Sequence, residues 1–129
     1  MKNQNNLTAT KRIAIVAPAD KRKELIEWSY ANREMLASHE LLAVSGTANI
    51  LAGTVNKPVY ELARESAGGY EELAGLMRNK KVDIVFFFEN PMRTFRQEDA
   101  MRQLLDTALE MNIVIAGMRS GVDFMKASA

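Results

Sequence analysis

The sequence contains no cysteine and only one histidine, His39. The lack of cysteine excludes a disulfide framework and a thiolate metal site, and a single histidine argues against a histidine-built metal centre. We therefore expect no metal and no cofactor.

The chain also lacks a strong net charge and a long apolar run. Its 17 Lys and Arg residues nearly balance 16 Asp and Glu residues, so the net charge of +1 provides no field to attract nucleic acid or acidic lipid. No apolar run approaches the roughly 18 residues of a membrane span, and residues 1–12 are too polar for a secretory signal. These absences predict a cytoplasmic protein with no nucleic-acid partner and no membrane partner.

The length and the apolar content together predict one domain. A chain of 129 residues that is 47% apolar can bury a proper core. Residues 1–10 are rich in Asn and Thr without periodicity, which predicts a disordered lead-in. Residues 11–129 are then the single domain.

Short apolar runs alternate with amphipathic segments along this domain. The unbroken run at residues 84–88 predicts a strand buried on both faces, in the middle of a parallel sheet. Similar runs predict strands at 12–17, 40–44, 59–63 and 113–116, and the segments between them predict helices at 21–37, 48–55, 70–79, 97–110 and 121–127. This order predicts an α/β fold with a doubly wound, Rossmann-like sheet of five parallel strands.

Some single residues have a predicted structural role. Asp20 stands where it would N-cap the first helix. Trp28 is at helical spacing and is interpreted as core rather than as a stacking platform, while His39 is interpreted as a surface or helix-end residue. The predicted core stripe of the helix at 97–110 consists of Met101, Leu104, Leu105, Ala108 and Leu109.

The carboxyl ends of parallel strands meet at one edge of the sheet, where open α/β folds bind ligands. At this edge Ser45-Gly46-Thr47 opens a helix and offers an anion backbone N–H groups and two hydroxyls. The alternative is that Ser45 and Thr47 simply cap that helix. Positive charge near the same edge comes from Lys21, Arg22, Lys23, Arg93, Arg96 and Arg119. The edge therefore predicts a small phosphate or carboxylate site.

The order of these motifs resembles the methylglyoxal synthase family over nearly the whole chain. The best-matching runs are R-I-A-I-V-A at 12–17, H-E-L-L-A at 39–43, S-G-T-A-N at 45–49, G-G-Y-E-E at 68–72 and V-D-I-V-F-F-F-E-N-P at 82–91. That family converts dihydroxyacetone phosphate to methylglyoxal and phosphate, and it forms hexamers. A related domain is the effector-binding part of carbamoyl phosphate synthetases.

The resemblance implies a phosphate site that this chain retains. The family's phosphate loop is a Thr-Gly-Thr-Thr sequence, which corresponds here to the segment that begins at Ser45. The positions that match the family's phosphate-binding residues are Arg22 or Lys23, Ser45, Gly46, Thr47, Gly68 and Gly69.

The same resemblance implies that the acid–base residues are replaced. Tyr70 stands at the position of the family's catalytic aspartate, and Gln97, followed by Glu98, stands at that of its histidine. Asn90 replaces an aspartate after the fourth strand, and Asp20 falls one place late after the first. Tyrosine, with a reference pKa of about 10, is a poor base near neutral pH, and glutamine cannot exchange a proton. Since each such group contributes roughly 10²–10⁴-fold, losing both should remove several orders of magnitude in rate.

Three hypotheses follow from these residues. The first is a non-catalytic binding or regulatory module that keeps a site for a small phosphorylated or anionic ligand. The second is an active synthase that uses a displaced carboxylate such as Glu71. The third is an assembly protein that binds no small molecule. In each case the resemblance implies a homo-oligomer, a hexamer in the family.

Overall fold

A computed structural model of the chain describes residues 10–88 and 99–117. Several predicted features lie outside the described residues: nearly all of the lead-in, the rim segment at 89–98, and the loop and final helix beyond residue 117.

The core of the molecule is a sheet of five strands in the order β3-β2-β1-β4-β5. The strands are β1 Arg12–Val16, β2 Glu40–Val44, β3 Tyr60–Leu62, β4 Ile84–Phe87 and β5 Val114–Gly117. All four neighbouring pairs are parallel, which confirms the predicted doubly wound sheet. Strand β4 is interior, as its unbroken apolar run predicts, although β1 occupies the middle of the five.

Five α-helices connect the strands in the part of the chain that the structure describes. They are α1 Arg22–Ala31, α2 Arg33–Ala37, α3 Ser45–Leu51, α4 Gly69–Arg78 and α5 Asp99–Glu110. Short 3₁₀ turns at Ala19–Lys21 and Glu65–Ala67 precede α1 and α4, and a π-helix at Ala52–Asn56 continues α3. No helix within the described ranges has the length and apolar character needed to cross a membrane.

The helices cover both faces of the sheet, because successive strand residues point to opposite sides. Ile13, Ile15 and Phe86 join one apolar cluster with α1, α2 and α3, whereas Ala14 and Phe87 join a second cluster with α4 and α5. Strands buried on both faces account for the absence of polar alternation in β1 and β4.

Trp28 belongs to the first of these clusters, as the sequence predicts. Its ring centroid lies 4.6 Å from that of Phe86 and 5.2 Å from that of Phe88. These are ordinary distances for packed aromatic pairs. The ring is therefore a core side chain rather than a stacking platform.

The helix predicted at 21–37 is interrupted at Asn32, so the prediction of one continuous helix is wrong. The Asn32 side-chain amide donates to the Trp28 carbonyl oxygen at 2.9 Å, and the Asn32 backbone N–H donates to the same oxygen at 3.0 Å. A side chain that bonds its own helix backbone favours an end or a turn. The chain accordingly ends α1 at Ala31 and restarts α2 at Arg33.

Two smaller predictions about helices are also wrong. Asp20 lies within the 3₁₀ turn, and the N-cap position of α1 is Lys21 without a side-chain capping bond. On α5, Leu104 and Ala108 are fully buried but Leu109 is 62% exposed. Thr107 is buried instead. The buried stripe of this helix therefore includes Leu104, Thr107 and Ala108 and differs from the stripe that the apolar spacing indicates.

The amino ends of the strands form an edge that we call the amino rim, and two long-range polar contacts tie it together. Asp83 Oδ2 accepts the Arg12 backbone N–H at 2.7 Å, and the Arg12 guanidinium donates to both Asp83 oxygens at 3.2 and 3.3 Å. Partial burial alone would raise the pKa of the Asp83 carboxyl, but the Arg12 hydrogen bonds and the charges of Arg12 and Lys11 hold it below its ordinary value. The same pair raises the pKa of Arg12. This contact clamps the start of β1 to the start of β4.

His39 makes the second contact. It follows the end of α2, as the helix-end interpretation predicts, but the surface interpretation is wrong. It is 7% exposed, and its Nδ1 accepts the Lys11 backbone N–H at 3.0 Å. Burial lowers the pKa of His39, and the charges of Lys11 and Lys57 lower it further. Lys57 Nζ donates to the carbonyl oxygens of Ala37 and His39, at 2.6 Å each. A neutral imidazole therefore holds the entrance to β1 against the end of α2.

Candidate functional site

The opposite edge, which we call the carboxyl rim, is formed in the described part of the chain by residues 17–23, 45–47 and 63–70. The strand register places Val44 beside Leu62 and Val16 beside Phe87. The segments that follow β1, β2 and β3 therefore leave the sheet at one edge, as the sequence predicts for the site.

Ser45 begins α3 directly after β2, without a loop between strand and helix. The N-cap position is Val44, in extended conformation and without a side-chain capping bond. The alternative interpretation of Ser45 and Thr47 as helix caps is therefore wrong. The first-turn N–H groups of an α-helix have no partner within the helix, and here no N-cap side chain satisfies them.

Glu61 is a rim residue that the sequence analysis missed. The Ser45 hydroxyl donates to Glu61 Oε2 at 2.8 Å, which joins the start of α3 to strand β3. The register pairs Glu61 with Ala43, two residues before Ser45. The signal in the sequence is the period of two in a strand: Leu62 packs on the face that α4 and α5 cover, so Glu61, one residue before it, points to the other face of the sheet.

Gly68 and Gly69 have a structural reason to be glycines. Gly68 is the N-cap residue of α4 and has φ +90°, a conformation that side chains disfavour. A Cβ on Gly69 would lie 2.1 Å from the Ala63 carbonyl oxygen and 2.8 Å from Val44 Cγ1. The start of α4 thus packs directly against the end of β2, which brings the segment at 68–70 beside Ser45.

The Gly69 backbone N–H is also already engaged, because it donates to the Arg64 carbonyl oxygen at 2.9 Å. This bond leaves a bound anion no direct use of that donor without displacing Arg64. The assignment of Gly68 and Gly69 to phosphate binding stays a prediction.

Tyr70 lies in the first turn of α4 and is 5% exposed. Its ring belongs to the apolar cluster on the α4 and α5 face, together with Val44, Leu62 and Leu73. The residue at the predicted position of the family's base is therefore part of the core rather than an open acid–base group.

Two carboxylates follow Tyr70 in the same first turn, Glu71 and Glu72, and both are exposed. Glu72 Oε1 accepts the Ala63 backbone N–H at 3.0 Å, so it closes the turn that leads into α4. Glu71 forms no hydrogen bond or ion pair with the described residues. Of these two, Glu71 is the carboxylate that a ligand could engage without breaking a structural contact.

The cations predicted for the rim are partly visible. Arg22 and Lys23 are exposed in the first turn of α1, and neither is ion-paired with a residue of the described ranges. Asp20 is exposed just before them. The remaining predicted residues lie outside the described residues: Asn90, Arg93, Arg96, Gln97, Glu98 and Arg119.

Of the predicted anion-binding groups, the Ser45 hydroxyl is bonded to Glu61 and Thr47 is buried, at 6% exposed. The side chains of Arg22 and Lys23 are exposed. Within residues 10–88 and 99–117, no group of three His, Cys, Asp or Glu side chains is placed to hold a metal ion. A phosphate or carboxylate site at this rim stays a prediction.

Comparison with known proteins gives matches over nearly all of this chain and most of each relative. No protein-family model matches the chain. It is 35% identical over 123 residues to the methylglyoxal synthase of Yersinia enterocolitica, covering 95% of the chain and 81% of that protein. It is 34% identical over 122 residues to the methylglyoxal synthase of Yersinia pestis, covering 95% and 79%. The crystal structure of methylglyoxal synthase from Elizabethkingia anophelis matches with a TM-score of 0.73 at 24% identity, over 90% of this chain and 76% of that one.

The parallel sheet and the two helical layers define a doubly wound α/β domain. The level of identity, over almost all of the chain and most of each relative, is more specific than the fold. The chain belongs to the methylglyoxal synthase family.

Proposed function

We propose that this protein binds a small phosphorylated or other anionic ligand at its carboxyl rim and does not carry out the family reaction. The proposal that the protein does not carry out the family reaction rests on the burial of Tyr70. Proton abstraction beside a carbonyl needs an accessible base with a pKa near neutrality. A phenol packed among Val44, Leu62 and Leu73 does not supply one.

The start of α3 supports the proposal that the carboxyl rim binds an anion. Ser45, Gly46 and Thr47 match the family's phosphate loop, and no side chain caps the helix they open. The helical run continues from Leu51 through the π-helix to Asn56, so the dipole at Ser45 is that of a longer element. Arg22 and Lys23 add positive charge at the same rim.

Glu61 sets a limit on how tightly such a site holds an anion. Its carboxylate occupies the Ser45 hydroxyl at 2.8 Å, so an incoming anion must compete for that donor and approach a negative charge. We expect the anion to bind more weakly than it would without Glu61, and its affinity to fall further as the salt concentration rises.

A second candidate function is active methylglyoxal synthesis. The relatives named above are methylglyoxal synthases over nearly the full chain, and Glu71 is an exposed carboxylate next to the predicted base position. In this alternative Glu71 removes the proton from dihydroxyacetone phosphate. Its disadvantage is geometric, because a displacement of about 1 Å can already cost about 10²-fold.

The two functions are separated by measuring methylglyoxal formed from dihydroxyacetone phosphate, with boiled protein as the control. We expect no product above that control. Enzyme-dependent product would overturn the non-catalytic proposal. In that event Glu71→Gln should abolish it, and Glu34→Gln, at an exposed position on α2, should not.

Anion binding is tested by adding inorganic phosphate and following the melting temperature, with sodium chloride at matched ionic strength. A ligand specific for the native state stabilises it by about 2.7 kcal/mol at one hundred times its dissociation constant. We expect Ser45→Ala with Thr47→Val to abolish the shift. Ser38→Ala with Thr10→Val, which removes two exposed hydroxyls elsewhere, should leave it intact. If phosphate does no more than chloride, the third hypothesis, an assembly protein without a small ligand, is favoured.

We also propose that the protein is a homo-oligomer, as the resemblance implies for the family. Leu109 and Val114 are exposed apolar side chains on helix α5 and on the edge strand β5 that follows it. Such side chains are common at subunit contacts. Sedimentation equilibrium should give a multiple of the 14.4 kDa chain; a single species of that mass at all concentrations would contradict this proposal.

A further inference from the structure

A cavity of about 400 Å³ opens at the amino rim, at the opposite end of the strands from the candidate anion site. Strand β1 runs from Arg12 near this cavity to Val16 at the carboxyl rim. At about 3.3 Å per residue, these two ends of β1 are about 13 Å apart. The cavity is therefore a separate space and not an extension of the rim site.

The sheet register explains how the cavity forms. Arg12 pairs with Glu40, and Leu42 pairs with Tyr60. Since alternate residues share a face, these four side chains lie on the side of the sheet that α4 and α5 cover. The outer wall comes from Leu76 on α4 and from Lys81, whose backbone N–H donates to the Leu76 carbonyl oxygen at 2.9 Å.

The lining combines an apolar surface with charges of both signs. Leu42, Leu76 and the ring of Tyr60 supply the apolar part, and Tyr60 is 57% exposed. Arg12 and Lys81 supply positive charge, and Glu40 supplies negative charge.

These charges remain open to a ligand. Asp83 accepts from Arg12 Nε and Nη2, which leaves three of the five guanidinium N–H donors uncommitted to it and fixes the orientation of the group. Neither Glu40 nor Lys81 is ion-paired or side-chain hydrogen-bonded within the described ranges. The cavity thus presents an oriented cation and a carboxylate on adjacent strands, next to an apolar surface.

We propose that this cavity binds a free α-amino acid with an aromatic or branched apolar side chain. The ligand's ammonium group is held by Glu40, its carboxylate by Arg12 and Lys81, and its side chain lies against Tyr60, Leu42 and Leu76. A volume of about 400 Å³ is at the lower end of the range for small-molecule sites, which suits a ligand of this size.

Other ligand classes fit the lining less well. A nucleotide or another polyanion would meet the carboxylates of Glu40 and, beside Arg12, of Asp83. A purely apolar molecule would remove water from three charged groups without replacing their hydrogen bonds. A zwitterion satisfies both signs of charge and the apolar surface.

The test is a titration with L-phenylalanine and L-leucine, followed by two-dimensional amide NMR of the ¹⁵N-labelled protein. We expect saturable shifts at Leu41, Leu42, Tyr60 and Lys81, with a dissociation constant of about 1 mM or lower, and none at Ser45 or Gly46. Phenethylamine and 3-phenylpropionate each lack one of the two charges. Both should bind at least about tenfold more weakly than phenylalanine.

Two variants and two matched controls locate the site. Glu40→Gln and Lys81→Gln should each weaken binding by about tenfold or more, since each leaves one charge of the ligand unpaired. Glu34→Gln and Lys80→Gln, at exposed positions outside the cavity lining, should bind as the parent does. All four positions are exposed, and dispersed amide spectra would verify that the variants are folded.

The proposal is overturned if no amino acid gives a saturable shift, if the three phenyl compounds bind equally, or if the two lining variants bind like their controls. It is overturned as well if the cavity amides shift with protein concentration alone, because a second copy of the chain then covers the cavity. The phosphate response of the carboxyl rim is measured separately, so failure of either proposal leaves the other standing.

Discussion

The two rims of the sheet are built from similar residues but use them differently. At the amino rim, long-range hydrogen bonds involve Arg12, His39 and Asp83 and join segments that are distant in sequence. At the carboxyl rim, Arg22, Lys23 and Glu71 make no ion pair with a described residue. Polar groups that are already satisfied stabilise a fold, whereas polar groups left open can bind something else.

This difference indicates which substitutions should change the stability of the fold and which should change ligand binding. Substitution of Asp83 or His39 at the amino rim should alter the free energy of unfolding and leave the phosphate response unaffected. Substitution of Arg22 or Lys23 at the carboxyl rim should do the reverse. The Gly69 position is the exception, because there the carboxyl rim itself is closely packed.

The largest effect is expected for Gly69→Ala. The added methyl would lie 2.1 Å from a backbone carbonyl oxygen, so the start of α4 must move, at a cost of about 3 kcal/mol. Gly75→Ala in the same helix meets no atom within 4 Å and should instead stabilise by about 0.5–1 kcal/mol. Urea unfolding of both variants checks the pair; equal midpoints would show that the close packing at Gly69 is relieved without cost.

The next effect concerns the clamp between β1 and β4. Asp83→Ala removes the acceptor of three hydrogen bonds from Arg12, with an expected cost of about 1–2 kcal/mol, reduced because both side chains are more than one third exposed. Asp106→Ala, at an exposed position on α5, should change stability by less than about 0.5 kcal/mol.

A double-mutant cycle with Arg12→Ala isolates the contribution of the pair to stability. Additive effects of the two substitutions would argue against the clamp.

The pKa of Asp83 is lowered in the folded protein. Its contribution to stability is therefore present above the unfolded pKa of about 3.9 and is lost as pH falls through the lower folded value.

A smaller effect with a distinct pH dependence is expected from His39. Its pKa is lowered in the folded state, so the unfolded chain binds the proton more readily, and stability should decrease as pH falls from about 7 to about 5. His39→Asn keeps an acceptor near the position of Nδ1 and removes the titration. The variant should therefore have a flatter stability profile over this range, measured by urea unfolding at several pH values.

The assignment of that pH dependence is simplified by the sequence, which holds one histidine. No other side chain has an ordinary pKa in this window. A profile that is equally steep in parent and variant would contradict the proposed role of His39.

The smallest effect is expected at Glu61. Glu61→Gln removes a negative charge beside Ser45 while keeping an acceptor for its hydroxyl. Phosphate affinity should rise about two- to fivefold, the size expected for an exposed charge pair, and the gain should shrink as salt is added. Glu27→Gln, at an exposed position on α1, is the control. Unchanged affinity would place the anion away from Ser45.

The sheet could be predicted from the sequence because its inner strands, above all β1 and β4, are short apolar runs buried on both faces, and such runs have few alternatives. The break at Asn32 could not, since the apolar spacing continues through it and the interruption depends on one side-chain amide. Leu109 shows a related limit. The spacing identifies an apolar stripe, but it does not tell which residues of that stripe the rest of the protein buries.

The candidate site was less predictable than the fold. Ser45 and Gly69 could be assigned to one edge from strand order, but their contact through Val44 depends on how α4 packs. The pairs Arg12–Asp83 and Ser45–Glu61 join residues 71 and 16 positions apart. Only the strand register brings them together, and the sequence does not state that register.

The buried ring of Tyr70 restricts which side chains position 70 can accept. Replacing it by aspartate would place a carboxylate among Val44, Leu62 and Leu73 and leave the volume of the ring unfilled. Both changes destabilise a core. An aspartate at position 70 would therefore require the surrounding core to be repacked. The packing of this cluster, and not only the chemistry of the rim, decides which side chains position 70 can accept.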